Sequence, residues 1–427
     1  MKLSHIVVGL DIGTSFIRAV IGKVDDEAVD DRKDRIEVIG FAKRPSQGVR
    51  NGNIVNLDAV ASVIKETIDS AEQEAGEEVV SVFTAIGGSQ TESILSTGSC
   101  GIDRKNRTGR NFLSQVDDDA MYRAREQATK QLYPLGKELI QVITRKYSVD
   151  GIKGIDNPRG MQGVRLEVET LLITASVTAI ENIRQSVLRA QYYLENEMFC
   201  KVLAASCATL VKEERELGSI VIDLGGGTTD FMVWSDGGPL YSSSINIGQT
   251  VVTKDIATVK GVPFDVAEKI KIESGCCFLG MDDLNDEVVI PGVGGKAPEL
   301  TDRHEICAII EARMRELMVM VKKDVIKNSG IKCLRGSIVL TGGGAMMEGI
   351  VELTQDVWKT LSVRVGGVKP LGFTKDESYR DPDFATACGF LLGNRTARTT
   401  EQAKFRKTSS DNSSFVDKAK GFLKKFF

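Results

Sequence analysis

Three glycine turns carry the residue types that grip phosphate. Asp11 stands before Gly13, Thr14 and Ser15; Asp223 stands before Gly225, Gly226, Gly227, Thr228 and Thr229; Gly342, Gly343 and Gly344 follow a β-branched run. Glycine lets backbone N–H groups approach phosphate oxygens with no Cβ in the way, and Thr and Ser hydroxyls add donors. A carboxylate beside each of the first two turns suits Mg²⁺, which prefers oxygen ligands and keeps much of its hydration shell. One such turn is no more than a turn, but three in this order, each after a strand-like run, point to a bound nucleotide. There is no G-x-x-x-x-G-K-[ST] and no early G-x-G-x-x-G, so neither a P-loop nor a Rossmann dinucleotide site is expected.

Strands and tight turns must position these residues. The first two turns each join two β-rich runs, 6–12 with 16–21 and 220–224 with 231–234, as in a hairpin with an acid beside its turn. Two copies of one unusual hairpin predict a duplicated α/β architecture with two facing halves. Between them the pattern predicts a strand at 36–42, a helix at 58–75 with Val60, Val63, Ile64, Ile68 and Ala71 on one face, and a strand at 80–86. The stretch 88–165 is more polar and turn-rich, with one helical segment near 121–135, and reads as an inserted small domain. A strand at 166–176 and a helix at 178–195 follow. After the second hairpin come helical segments in 248–275, a loop-like 282–301, a long helix at 303–328, a strand at 337–341, and an apolar helix at 385–392. The polar stretch 396–413 reads as a flexible linker.

The last fourteen residues, 414–427, carry a second signal. Phe415, Val416, Ala419, Phe422, Leu423, Phe426 and Phe427 fall on one helical stripe, while Lys418, Lys420, Lys424 and Lys425 take the other side with Asp417. The segment is too short to span a bilayer, which needs roughly 20 apolar residues. It fits the bilayer surface, phenylalanines at the acyl boundary and lysines among anionic headgroups. The competing reading is a helix docked on the protein's own body or on a partner. One such tail binds reversibly, because ordering its residues offsets much of the gain from burying them.

Bulk properties narrow the rest. A chain of 427 residues exceeds one small core. The formal net charge is −4; the terminal segment contributes +3, leaving −7 on the body, which argues against nucleic acid as a partner. Eight scattered cysteines without a C-x-x-C pair read as reduced and cytosolic, and two histidines make a zinc site unexpected. No charged n-region with an apolar run marks a signal peptide, and no stretch is long and apolar enough for a transmembrane helix.

Taken together, these residues resemble the actin/Hsp70/sugar-kinase ATPase superfamily. Residues 11–18 look like its first phosphate loop, 223–230 its second, and 341–349 its adenosine loop; 203–211 and 386–393 resemble its two crossing helices. Within it, the run 213–218, the hairpin 221–230, residues 248–253 and 267–271, the insert and the terminal amphipathic helix resemble the FtsA family of bacterial cell-division proteins. The resemblance implies a two-lobed, actin-like (ribonuclease H-like) duplicated α/β fold with an FtsA-type 1C subdomain and a C-terminal amphipathic helix. The implied parts are subdomain 1A at 1–87, 166–212 and 372–395, 1C at 88–165, 2A at 213–247 and 333–371, and 2B at 248–332. The linker at 396–413 and the membrane-targeting helix at 414–427 complete the chain.

The resemblance also implies ATP and Mg²⁺ between the lobes. Asp11 and Asp223 would be the magnesium-side acids. Gly13, Thr14 and Ser15 would hold phosphate from one lobe, and Gly225, Gly226, Gly227, Thr228 and Thr229 from the other. Gly342, Gly343, Gly344 and Met346 would contact the nucleoside, and Glu268 and Lys271 the ribose or adenine. Arg18 falls where actin has a phosphate-binding lysine, or is a solvated strand residue. In actin a glutamine on the first crossing helix orients the attacking water; 203–211 has no Gln or Glu, so weak or no hydrolysis is expected, below about 1 s⁻¹. The implied role is an adaptor that polymerises, binds the C-terminal tail of the tubulin-like GTPase FtsZ, tethers that ring to inner-membrane lipids at the division site, and recruits later division proteins. Membrane contact falls to Phe415, Val416, Phe422, Leu423, Phe426, Phe427, Lys418, Lys424 and Lys425. Arg303 and Arg313, in the outer subdomain of the second lobe, are candidate contacts for the FtsZ tail. A pilus-assembly-type actin-like ATPase and a sugar-kinase-like phosphotransferase are the alternatives.

Overall fold

The computed structural model describes residues 4–25, 36–102, 114–195, 198–281, 284, 286–292, 297–331, 335–371 and 376–399. Two sheets of the same design form the lobes. In the first, Ser4–Ile12 and Phe16–Asp25 make an antiparallel hairpin, and Ile36–Pro45 extends it beyond the second strand. Ser81–Ile86 lies parallel to the first strand, with Tyr193–Leu194 and Phe199–Cys200 along its outer side. In the second, Ser219–Leu224 and Thr229–Ser235 make the hairpin, Gly238–Ile245 extends it, Ile338–Thr341 lies parallel, and Val363–Val365 closes the edge. The duplication read from the hairpins thus extends to whole sheets.

Helices cover both faces of the first sheet. Leu57–Ala75 is opened by the Asn56 side chain, which accepts from the Ala59 N–H, and closed by Gly76 in the left-handed region. It buries Val60, Val63, Ile64, Ile68 and Ala71. The opposite face packs on Ala385–Thr399 through Val7, Val20, Ala387, Cys388 and Leu391. The second lobe buries Ile220, Ile222 and Leu224 of its central strand under helices including Arg303–Asn328, whose Ile306, Ile310, Met314, Leu317, Val321 and Val325 share one stripe.

Two helices lie where the chain crosses between lobes. Lys201–Thr209 leads out of the first lobe and Ala385–Thr399 returns to it. They touch at Gly389, where a Cβ would collide with the Ala204 carbonyl oxygen. The return helix runs to Thr399, past the 395 boundary read from the sequence. The remaining linker and the amphipathic segment 414–427 lie outside the described residues.

Several expectations are corrected. The insert is mainly sheet: Thr91–Gly101, Lys137–Val149, Ile152–Ile155 and Arg165–Ser176 form four antiparallel strands. Arg165–Ser176 pairs with Thr91–Gly101 and Lys137–Val149, so it belongs to the inserted sheet rather than resuming the flanking lobe after residue 165. The insert's helix spans Asp118–Thr129, not 121–135: Asp117 caps it by accepting from the Ala120 N–H at 2.8 Å, and Pro134 cannot extend it. The 282–301 region contains a two-stranded antiparallel pair, Glu287–Ile290 with Glu299–Asp302.

Candidate functional site

Both hairpin turns, the third glycine turn and the Phe264–Ser274 helix converge on one cavity of about 550 Å³ between the lobes. The two turns are built alike. The Gly13 N–H donates to the Phe16 carbonyl at 3.1 Å, and the Gly225 N–H to the Thr228 carbonyl at 3.0 Å. Pairing sets Asp11 opposite Arg18 in the first hairpin and Asp223 opposite Asp230 in the second. The loops abut: Ser15 Oγ lies against Gly226 and Thr14 Oγ1 against Gly227. The Gly52 N–H donates to Thr14 Oγ1 at 2.9 Å, folding a further turn over the first loop. The second loop is anchored through its carbonyls, which accept from the Gln249 and Thr250 N–H groups at 3.0 and 2.8 Å.

Four buried aspartates line the cavity, Asp11, Asp223, Asp230 and Asp383, with different partners. Asp230 is satisfied by neutral donors, the Gly88 N–H at 2.6 Å and the Thr228 hydroxyl at 3.0 Å. Asp11 faces cations on both oxygens: Lys201 Nζ is 3.1 Å from Oδ1 and Arg18 Nη1 is 3.7 Å from Oδ2. Asp223 Oδ2 is buried with no hydrogen-bond partner. Burial first, then the Asp230 and Asp11 carboxylates, push the Asp223 carboxyl up to about 6, against Lys201 and Arg18. Burial opposes the charge on Lys201, but Asp11, Asp223 and Asp230 outweigh it and hold its pKa above the ordinary lysine value.

An orphaned carboxylate oxygen fits a hydrated Mg²⁺, which would supply a hydrogen-bonding and electrostatic partner together. Among the described residues no group of three or more His, Cys, Asp or Glu could ligate a metal by itself. A magnesium here would therefore draw on water and phosphate oxygens, with Asp223 the acid best placed to orient that shell.

Arg18 is a buried, structurally committed residue rather than a solvated strand position. Its Nε and Nη2 donate to Asp383 Oδ2 at 3.2 and 2.7 Å, and Lys43 Nζ reaches the same oxygen at 2.6 Å. Burial pushes the Asp383 carboxyl up, but Arg18 and Lys43 outweigh it and hold it below the usual range. Arg18 and Lys43 both line the cavity while held this way.

At the other end, Gly342 has φ +79° and a Cβ there would collide with Asp223 Oδ1, so the turn holds glycine for both conformation and space. Its N–H donates to the Pro382 carbonyl at 3.1 Å, and the Thr341 hydroxyl to the same carbonyl at 2.9 Å, tying this turn to the first lobe. Gly343, Gly344 and exposed Met346 line the cavity. So do Glu268 and Lys271, one helical turn apart and paired at 2.7 Å. Lys271 Nζ also donates to Thr253 Oγ1 at 2.9 Å; burial lowers its pKa and Glu268 partly restores it.

Arg303 and Arg313 lie outside this cavity. Arg303 pairs with Glu348 and donates to the Ser274 carbonyl, and Arg313 pairs with Asp255 and Glu316. The residues that the sequence left unassigned are Lys201, Lys43, Asp230 and Asp383. Lys201 lies at the cavity end of the first crossing helix, just before the 203–211 span read from the sequence. Asp230 was legible from the repeat, because it follows Asp223 at the spacing that separates Arg18 from Asp11.

The fold has counterparts in known proteins. A family model for cell division protein FtsA matches residues 220–389, and a model for the SHS2 domain inserted in FtsA matches 88–174. The second match agrees with the inserted sheet including most of Arg165–Ser176. The chain is 36% identical to cell division protein FtsA of Borreliella burgdorferi, over 99% of each chain. It is 31% identical to that of Escherichia coli K12, over 99% of this chain and 98% of the other. In fold it is similar to the PilM–PilN type IV pilus biogenesis complex (TM-score 0.60, 18% identity, 91% of this chain and 98% of that one). It is also similar to Spiroplasma citri MreB 5 bound to AMPPNP (TM-score 0.52, 13% identity, 95% and 99%). These structural likenesses carry the actin-like fold, and the near full-length relatives carry the family: the chain belongs to the FtsA family of cell division proteins.

Proposed function

We propose that this cell-division protein binds ATP with magnesium between its lobes, polymerises in that state, and ties the FtsZ ring to the cytoplasmic face of the inner membrane. The observation that carries the proposal is the convergence of three glycine turns from both lobes on one interlobe cavity. Gly13, Thr14 and Ser15 would hold phosphate from one side and Gly225 to Thr229 from the other. Gly342, Gly343, Gly344 and Met346 would hold the nucleoside, with Glu268 and Lys271 at the ribose or adenine. Magnesium would balance phosphate charge beside Asp223. Family membership favours this role over the pilus-assembly and sugar-kinase alternatives.

The chain's own residues support slow turnover. Lys201, at the cavity end of the crossing helix, offers N–H donors and no acceptor, so it cannot take a proton from an attacking water while charged. ATP then acts chiefly as an assembly ligand. Among the described residues no helix is long and apolar enough to cross a membrane. Membrane contact is assigned to the 414–427 stripe of Phe415, Val416, Phe422, Leu423, Phe426 and Phe427, with Lys418, Lys424 and Lys425 toward anionic headgroups. An FtsZ tail meeting Arg303 or Arg313 would exchange its carboxylates for Glu348 or Asp255.

Two measurements test this reading. Calorimetric titration with ATP-Mg should show one site per chain, and no heat of binding would end the nucleotide assignment. Deleting 414–427 should abolish co-sedimentation with anionic liposomes, and undiminished binding would end the tether.

A further inference from the structure

Lys201 sits among acids at a place where a nucleotide site ordinarily relies on a metal for positive charge. It is the first residue of the Lys201–Thr209 helix, and the preceding Phe199–Cys200 strand is fixed by pairing with Ser81–Ile86. The backbone thus delivers the side chain into the cavity from the floor of the first lobe. Its Nζ lies 3.1 Å from Asp11 Oδ1, with the side chain 18% exposed. Asp223 and Asp230 also act on it electrostatically.

We propose that the Lys201 ammonium is a resident cation of the nucleotide site, so that this chain binds a nucleoside triphosphate with only weak dependence on a divalent metal. The inference rests on the ATP-site reading and adds the source of the charge. The local balance supports it. Four aspartates line the cavity, Asp383 among them held by Arg18 and Lys43, and the cations nearest Asp11 are Lys201 and Arg18. Arg18 is already committed to Asp383 at 2.7 Å. Lys201 is therefore the charge that keeps Asp11 from repelling phosphate, and its three N–H donors exceed the one its Asp11 contact uses. Asp11, expected beside magnesium, serves instead to hold Lys201. Asp223, with its unpartnered oxygen, is left as the acid for a hydrated metal. The division of labour follows: a metal strengthens binding through Asp223, and Lys201 sustains binding without it.

The test is a fluorescence titration of the full chain with a fluorescent ATP analogue, in excess MgCl₂ and in excess EDTA. For the wild type, the two dissociation constants should lie within about tenfold of each other, since one charged donor stands in for the metal. Lys201→Met should weaken binding in both media, with the loss in EDTA exceeding the loss in MgCl₂ by roughly 10–100-fold, the effect of losing a charged hydrogen-bond donor that no metal replaces. Lys201→Arg should stay near the wild type in both media. Lys201→Met weakening both media equally would overturn the proposal, because a structural role makes no distinction between them. A wild-type penalty in EDTA above about tenfold would overturn it even if no variant folds, and would leave ATP-Mg binding intact. Wild-type protein that binds in neither medium would remove the nucleotide reading itself.

Discussion

Replacing Asp223 by asparagine should stabilise the nucleotide-free protein above pH 6 and weaken its binding of ATP-Mg. Asp223 is 3% exposed and its Oδ2 has no hydrogen-bond partner. Its pKa rises from the ordinary 3.8 to about 6, chiefly through burial, with Asp230 and Asp11 adding and Lys201 opposing. An unfolded chain releases this proton near pH 4, whereas the folded chain keeps it until about pH 6. The sign follows: stability from the protonated form is fully present below the lower value and is lost as pH rises through the higher one. At 1.36 kcal/mol per pKa unit the complete loss is on the order of 3 kcal/mol. Asparagine has the shape of the protonated acid and never ionises, so the variant avoids that loss while Lys201 keeps Asp11 as its partner. Urea unfolding followed by tryptophan fluorescence, in EDTA without nucleotide at pH 4.5 and pH 8, reads the difference. The variant should exceed the wild type at pH 8, with the gap closing toward pH 4.5. A variant less stable than the wild type at pH 8, or a gap equal at both, would refute the reasoning.

Two further substitutions probe the scaffold. Gly342→Ala forces a Cβ into φ +79° and into Asp223 Oδ1; it should cost at least about 1–2 kcal/mol of stability and abolish nucleotide binding, read by thermal melting and calorimetry. Gly389→Ala places a methyl against the Ala204 carbonyl; it should cost about 1–3 kcal/mol and loosen the crossing-helix contact, seen as faster amide exchange in Lys201–Thr209, whereas unchanged exchange would contradict so close an approach of the two helices.

Elements with strong local signals were legible in the sequence. The hairpins showed as β-branched runs broken by Gly/Thr turns, and Arg303–Asn328 was bounded correctly because a sustained helical stripe runs between a capping Asp302 and Ser329. The glycine-turn residues that line the cavity stood out the same way, since glycine beside Asp and Thr is a local pattern. The insert's strands were missed because Thr91–Gly101 is small and polar and mostly half-buried or exposed, which leaves little alternation to read. Lys201 was missed for a different reason: its meaning lies in Asp11, a partner distant in sequence and brought close only by the sheet. Asp383 likewise gains its role only when the Pro382–Phe384 turn packs against Arg18 and Lys43. Arg303 and Arg313 had the composition of a partner surface, but composition alone does not reveal that Glu348 and Asp255 already pair with them.

The central claim couples a nucleotide between the lobes to a polymer held on lipid. Electron microscopy of the full chain on an anionic lipid monolayer, with ATP-Mg, without nucleotide, and with 414–427 removed, tests it most directly. Filaments coating the lipid only when both nucleotide and tail are present are the predicted result; filaments on the lipid without nucleotide, or equally dense without the tail, would contradict it.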